Sequence, residues 1–237
     1  VLNKLKNKKN IFIWDDSEKK RKELEKKGYQ FLDPRDWPWE NIDLLISSPG
    51  IPINFGMNSF IIKESKKNNI KIIGDIEVFY QEFQNFKNKK IIAVTGTNGK
   101  STFATVLYEI LSKSGLKVSL GGNIGIPALS LNINECDIII FEISSFQLEL
   151  IEDFKADISI LLNITEDHAE RYESFEEYQK TKIKIFLNQK DEDYAILDNT
   201  YLSKKILDEI NPSPRKIYFN ELKINTSNLN LNKNRVL

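Results

Sequence analysis

The chain has 237 residues, with 34 Lys plus Arg balancing 34 Asp plus Glu, so no overall field draws it to nucleic acid or to an acidic lipid surface. A single cysteine, Cys136, excludes an internal disulfide framework and suits a reducing compartment. No apolar run approaches the roughly 18 residues that span a bilayer, and the basic start Val1 to Lys6 has no apolar stretch behind it that would make a secretory signal, so the cytoplasm is the expected location.

At this length one large or two modest domains are expected. In chain order, the run Asn10 to Trp14 ends in Asp15-Asp16-Ser17 and is followed by a charged helical stretch, Glu18 to Lys27, with Gly28 as its stop. Asp43 to Ser47 predicts a strand running into Ser48-Pro49-Gly50-Ile51-Pro52, then Phe60 to Asn69 a helix and Lys71 to Gly74 a strand. The polar stretch Gln81 to Lys90 reads as a linker, with a domain boundary near residue 88. Beyond it come a strand at Ile91 to Val94, a helix from Phe103 to Ser114, and strands at Leu116 to Leu120, Asp137 to Ile143, Ile158 to Asn163 and Tyr194 to Leu197. A helix from Phe175 to Leu187 precedes the last, and the polar tail from Asn220 reads as a frayed hairpin or a cut edge. Such alternation predicts an α/β fold with a parallel sheet covered on both faces. Ligands bind such sheets beyond the carboxyl ends of the strands, where Asp15, Asp16, Ser48, Pro49 and Gly50 fall.

The most informative stretch is Thr95-Gly96-Thr97-Asn98-Gly99-Lys100-Ser101-Thr102, between a β-branched run and a helix with apolar residues at 103, 106, 107, 110 and 111. A Gly-rich turn there points backbone N–H groups into one concavity at a helix N-terminus, a natural seat for a phosphate chain. Lys100 would reach the terminal phosphates and Ser101 a bound Mg²⁺, although Val94 stands where the general phosphate-loop pattern has its first Gly. Glu142 closes the apolar run Ile138 to Phe141, and a carboxylate there has to be paired, solvated or metal-bound. Mg²⁺ is one partner for it and a strand-end salt bridge the other. His168, the only histidine, follows a strand among acidic residues and is a candidate for metal or substrate contact.

The string Thr95 to Thr102 resembles the ATP loop of the Mur ligase and folylpolyglutamate synthetase superfamily. Three further segments resemble the Mur ligase family members that join D-glutamate to UDP-N-acetylmuramoyl-L-alanine: Gly121 to Pro127, Glu142 to Glu149, and Asn163 to His168. Ser144-Ser145-Phe146-Gln147 is the most discriminating piece, and Ser48 to Pro52 and Gly74 to Glu77 resemble that family's uracil-nucleotide domain. The resemblance implies a truncated Rossmann-like domain for the uridine nucleotide over residues 1–88, then an incomplete P-loop-type, ATPase-like α/β central domain over 89–237.

It also implies residue roles. Gly96, Thr97, Asn98, Gly99, Lys100, Ser101 and Thr102 would lie on the ATP phosphates, and Ser101, Glu142, His168 and Lys182 would serve two Mg²⁺ sites. Asn123, Ser144 and Gln147 would touch the muramoyl-alanine, and Asp15, Ser48, Pro49 and Gly50 would lie beside the uridine diphosphate. Lys100, His168 and Lys182 would be catalytic, Lys182 as a carbamylated lysine, with Lys180 and Lys184 close in sequence and a solvated basic helix face as the other reading. The implied activity is ATP-driven amide formation through an acyl phosphate in peptidoglycan precursor synthesis, by a monomer with no nucleic-acid or membrane partner. Against the family pattern the chain lacks the first strand with its Gly-rich turn and a third domain, which implies a fragment with little activity alone. Another amide ligase of the superfamily, or a nucleotide-binding module without a ligase role, remains open as a reading.

Overall fold

The computed structural model describes residues 11–54, 59–86, 88–166, 171–198, 211 and 213–219. At its start the sequence expectation fails: residues 11–14 form no strand. Phe12 and Trp14 pack instead against the buried Trp37, Trp39 and Ile70, with the rings of Phe12 and Trp37 5.8 Å apart. Aromatic burial of this kind outweighs the few ladder bonds a short edge strand would add. Helix α1 (Glu18–Glu25) is capped by Ser17, whose side chain accepts from the Lys20 N–H, and buries no residue, as its charge density requires. Strands β1 (Leu44–Ile46) and β2 (Lys71–Ile73), joined through helix α2 (Phe60–Lys67), pair in parallel as a two-stranded sheet.

Helix α3 (Asp75–Phe83) follows Gly74 directly, so the expected linker begins only after Phe83. The reason is visible in its spacing: Ile76, Phe79 and Phe83 recur three and four residues apart and bury together in the main core. The division expected at residue 88 thus lies after a helix that shares its core with the sheet beyond.

That sheet is built from β3 (Lys90–Thr95), β4 (Val118–Gly122), β5 (Ile138–Glu142), β6 (Ile158–Leu161), β7 (Tyr194–Asp198) and β8 (Arg215–Phe219), all parallel, in the order β4-β5-β3-β6-β7-β8. Among the described residues three α-helices intervene, α4 (Lys100–Lys113), α5 (Ser145–Leu148) and α6 (Phe175–Ile183), the last continuing into a 3-10 turn over Lys184–Phe186. Central strands covered on both faces read as continuous apolar runs, and they do here. Ile91, Ala93, Ile139 and Phe141 face α3 and the end of α6, while Ile92, Val94 and Ile140 face Phe103, Leu107 and Leu111 of α4. Strand β8, with Ile217, Tyr218 and Phe219, has no counterpart among the sequence expectations, and the tail from Asn220 lies outside the described residues. Among the described residues no helix is long and apolar enough to cross a membrane.

Candidate active site

Strand β3 ends at the buried Thr95, whose hydroxyl donates to the Ile143 carbonyl at 2.8 Å, and the chain turns through Gly96 to Gly99 into α4. Gly99 sits at φ +80°, a left-handed conformation that glycine adopts without strain. Gly96 is needed for space, since a Cβ there would approach the Leu162 Cβ to 3.1 Å. The turn is laced to the loop after β6: the Thr97 N–H donates to the Asn163 carbonyl at 3.0 Å, the Asn98 N–H to Asn163 Oδ1 at 2.9 Å, and the Thr165 N–H to Thr97 Oγ1 at 3.0 Å. These bonds hold the turn at the head of a 14-residue helix, where the macrodipole favours an anion. Lys100 Nζ donates to the Thr97 carbonyl at 2.9 Å, and Ser101 and Thr102 are exposed in the first turn of α4.

Beside this turn, β5 delivers Glu142 at 1% exposure. Its Oε1 accepts from Asn123 Nδ2 at 2.9 Å, and its Oε2 is buried without a hydrogen-bond partner. A strand-end salt bridge is therefore not what satisfies it. A bare carboxylate oxygen in low dielectric is a costly arrangement unless a cation occupies the space before it, and the residues fit a hard cation with oxygen ligands. Among the described residues no three His, Cys, Asp or Glu side chains form a cluster that would hold a metal ion, and His168 lies outside those residues.

Lys182 of α6 is also at 1% exposure, with Nζ donating to the Gly96 carbonyl at 2.9 Å and lying 4.8 Å from the centre of the Tyr178 ring. Burial overturns the reading of a solvated basic face at this position. Lys180 instead forms an exposed pair with Glu176, and Lys184 is half-buried in the following turn. Tyr178 contributes as well, its hydroxyl 3.1 Å from Thr97 Oγ1. Asn163, Thr165 and Tyr178 support the phosphate turn without having been expected to, although Asn163 and Thr165 lie in the segment Asn163 to His168 that resembles the family.

The expected substrate contacts divide. Asn123 stays exposed and is tied to Glu142 through both its side chain and its N–H, which donates to the Glu142 carbonyl at 2.8 Å. Ser144 and Gln147 are joined to each other as a capping box on α5, with Gln147 Nε2 also 3.5 Å from Asp75 Oδ1. Asp15 accepts from the Ser17 N–H and pairs with Lys20, as the cap of a turn would. Ser48, Pro49 and Gly50 lie in a turn closed by the Ile51 N–H donating to the Ser48 carbonyl at 3.0 Å. That turn is gripped by Arg171, a residue the sequence reading passed over although it lies three positions after the singled-out His168.

A family description, the Mur ligase middle domain, matches residues 94–236, more than half of the chain. Two relatives called UDP-N-acetylmuramoylalanine--D-glutamate ligase are similar to it. The one from Wolbachia pipientis is 41% identical over 74% of this chain and 34% of its own length, and the one from Rickettsia bellii 40% identical over 85% and 44%. The chain thus spans between a third and a half of these relatives. A solved structure of the MurF ligase from Thermotoga maritima in complex with ADP shares the fold, with a TM-score of 0.51 at 18% identity over 78% of this chain and 51% of that one. With the family match beginning in β3 and taking in the phosphate turn, Glu142 and Lys182, the chain belongs to the Mur ligase family, whose middle domain it carries.

Proposed function

We propose that this chain is the part of a cytoplasmic, ADP-forming ligase that holds ATP and UDP-N-acetylmuramoyl-L-alanine, in an enzyme that joins the latter to D-glutamate for peptidoglycan synthesis. The observation that carries the reading is the meeting of three features at adjacent strand ends: the phosphate turn heading α4, the bare Glu142 Oε2, and the buried Lys182 Nζ on the Gly96 carbonyl. The names and 40–41% identity of the relatives support the choice of substrate.

In the reaction, the alanyl carboxylate attacks the γ-phosphorus of ATP and ADP leaves, and the amine of D-glutamate then attacks the acyl carbon and expels phosphate. No protein nucleophile is required, so the chain's task is placement and charge compensation. With the Thr97 and Asn98 N–H groups committed to Asn163, the N–H groups of Gly99 to Thr102 at the head of α4 and Lys100, once it releases the Thr97 carbonyl, bind the phosphates. Asn123 orients Glu142. Mg²⁺ on Ser101, Glu142, His168 and a carbamylated Lys182, in two sites, would neutralise charge on the transferring phosphoryl group.

The test is ADP release by the full-length protein with UDP-N-acetylmuramoyl-L-alanine and, in parallel, D-glutamate, L-alanine, L-lysine or diaminopimelate. D-Glutamate alone should stimulate, and Lys100→Ala should lower the rate by about 10²-fold or more. Carbon-13 bicarbonate should label a lysine carbamate that Lys182→Arg removes. Stimulation by a different amino acid would point to another amide ligase, and no stimulation to a nucleotide-binding module.

A further inference from the structure

We infer that Arg171 is a positioning residue that registers the turn holding the nucleotide end of the substrate against the phosphate turn; this rests on the function proposed above. Its guanidinium collects three carbonyls of one turn: Nη2 donates to Pro49 at 3.0 Å and Ile51 at 3.1 Å, and Nη1 to Gly50 at 3.3 Å. The same group is held by Glu149, with Nε to Oε1 at 3.2 Å and Nη2 to Oε2 at 2.8 Å, and lies 4.5 Å from the centre of the Phe146 ring. Arg171 and Glu149 are 7% and 9% exposed.

A buried ion pair is weak support for stability, because apolar residues of similar volume often serve the fold as well or better. What this pair does that an apolar pair would not is fix the curvature and placement of residues 49–51 by directional bonds. Its attachments are the relevant ones. Glu149 and Phe146 sit on and just after α5, whose Ser144 cap begins two residues after Glu142. Arg171 also stands four residues before α6, whose Tyr178 hydroxyl and Lys182 Nζ contact Thr97 and Gly96 of the phosphate turn. Arg171 therefore joins the segments that set the ATP end to the turn Ser48 to Ile51, and a rigid span between them places the alanyl carboxylate at the phosphoryl group. Misplacement of reacting groups by an ångström is costly in rate.

The experiment uses the full-length protein with Arg171→Met and the double variant Arg171→Met/Glu149→Met, which removes both charges and guards against a fold left with one unpaired. Intact UDP-N-acetylmuramoyl-L-alanine should lose about tenfold to a hundredfold in kcat/KM. The same muramoyl-alanine lacking the uridine diphosphate should be turned over within about twofold of the parent, since no span is left to register. In the double variant the melting midpoint should stay level or rise. Equal losses on both substrates, or no loss on either, overturn the proposal. Hydrogen exchange decides it independently of turnover: the Ile51 amide, which donates to the Ser48 carbonyl, should exchange faster in Arg171→Met while β3 keeps its protection, and unchanged exchange at Ile51 overturns the link. An inactive parent enzyme would refute the ligase reading and leave the exchange result to judge the link.

Discussion

A carboxylate with one oxygen on Asn123 and the other on nothing, at 1% exposure, is a residue that the metal-free fold alone would not choose. Glu142→Gln keeps an acceptor for Asn123 and removes the buried charge. In the metal-free protein it is expected to be more stable than the parent, because a neutral amide left without a partner costs less to bury than a carboxylate. The melting midpoint should then rise by about 2–4 °C for each kcal/mol. The same variant should lose the further rise that Mg²⁺ with ADP gives the parent, and most of the D-glutamate-dependent ADP release. A lower midpoint without metal would show that Glu142 serves the fold instead. This residue was legible in the sequence because an acid at the end of four apolar residues breaks the pattern of a buried strand. Lys182 was less so, since Lys180, Lys182 and Lys184 differ only in which way α6 turns them, and that is set by tertiary packing under Gly96.

At the scale of elements, the turn after β4 shows how closely the site's backbone is fitted. Gly122 sits at φ +101°, and a Cβ there would lie 2.4 Å from the Glu142 carbonyl oxygen, a backbone atom that β5 holds in place. Gly122→Ala is therefore expected to cost about 2–4 kcal/mol, read as a lower urea midpoint with an unchanged slope. It should also disturb Asn123, whose N–H donates to that same carbonyl. A midpoint within error of the parent would mean that the turn relaxes freely. Long apolar strands and the turn-to-helix transition at Gly99 could be read from sequence because their signals are local. Helix α3 was not expected, although Ile76, Phe79 and Phe83 recur at helical spacing, because the polar residues from Gln81 onward read as a linker. Residues 11–14 misled for the opposite reason: an apolar run states that it will be buried, not whether a ladder or a cluster of tryptophans will bury it.

Across the whole molecule, the two sheets are tied by backbone as well as side chains. Gly74, between β2 and α3, donates its N–H to the Leu150 carbonyl at 2.9 Å, and Leu150 packs with Ile53 and Ile62 of the smaller unit. Glu77, fully buried in α3, accepts the N–H groups of Glu152, Asp153 and Phe154 on Oε2 at 2.8, 3.1 and 3.0 Å. Removing it leaves three donors at this seam without their acceptor, so Glu77→Ala is expected to cost about 3–5 kcal/mol. Glu77→Gln, which can keep a neutral oxygen in the same place, should cost about 1–2 kcal/mol. All three tryptophans, at positions 14, 37 and 39, lie in the smaller unit, whereas the six-stranded sheet and its helices dominate the far-ultraviolet signal. Urea unfolding followed by both probes should give coincident transitions in the parent. Because α3 places Ile76, Phe79 and Phe83 in the core of the larger sheet, Glu77→Ala should lower both transitions together. Movement of the tryptophan transition alone would mean that the seam serves only the smaller unit.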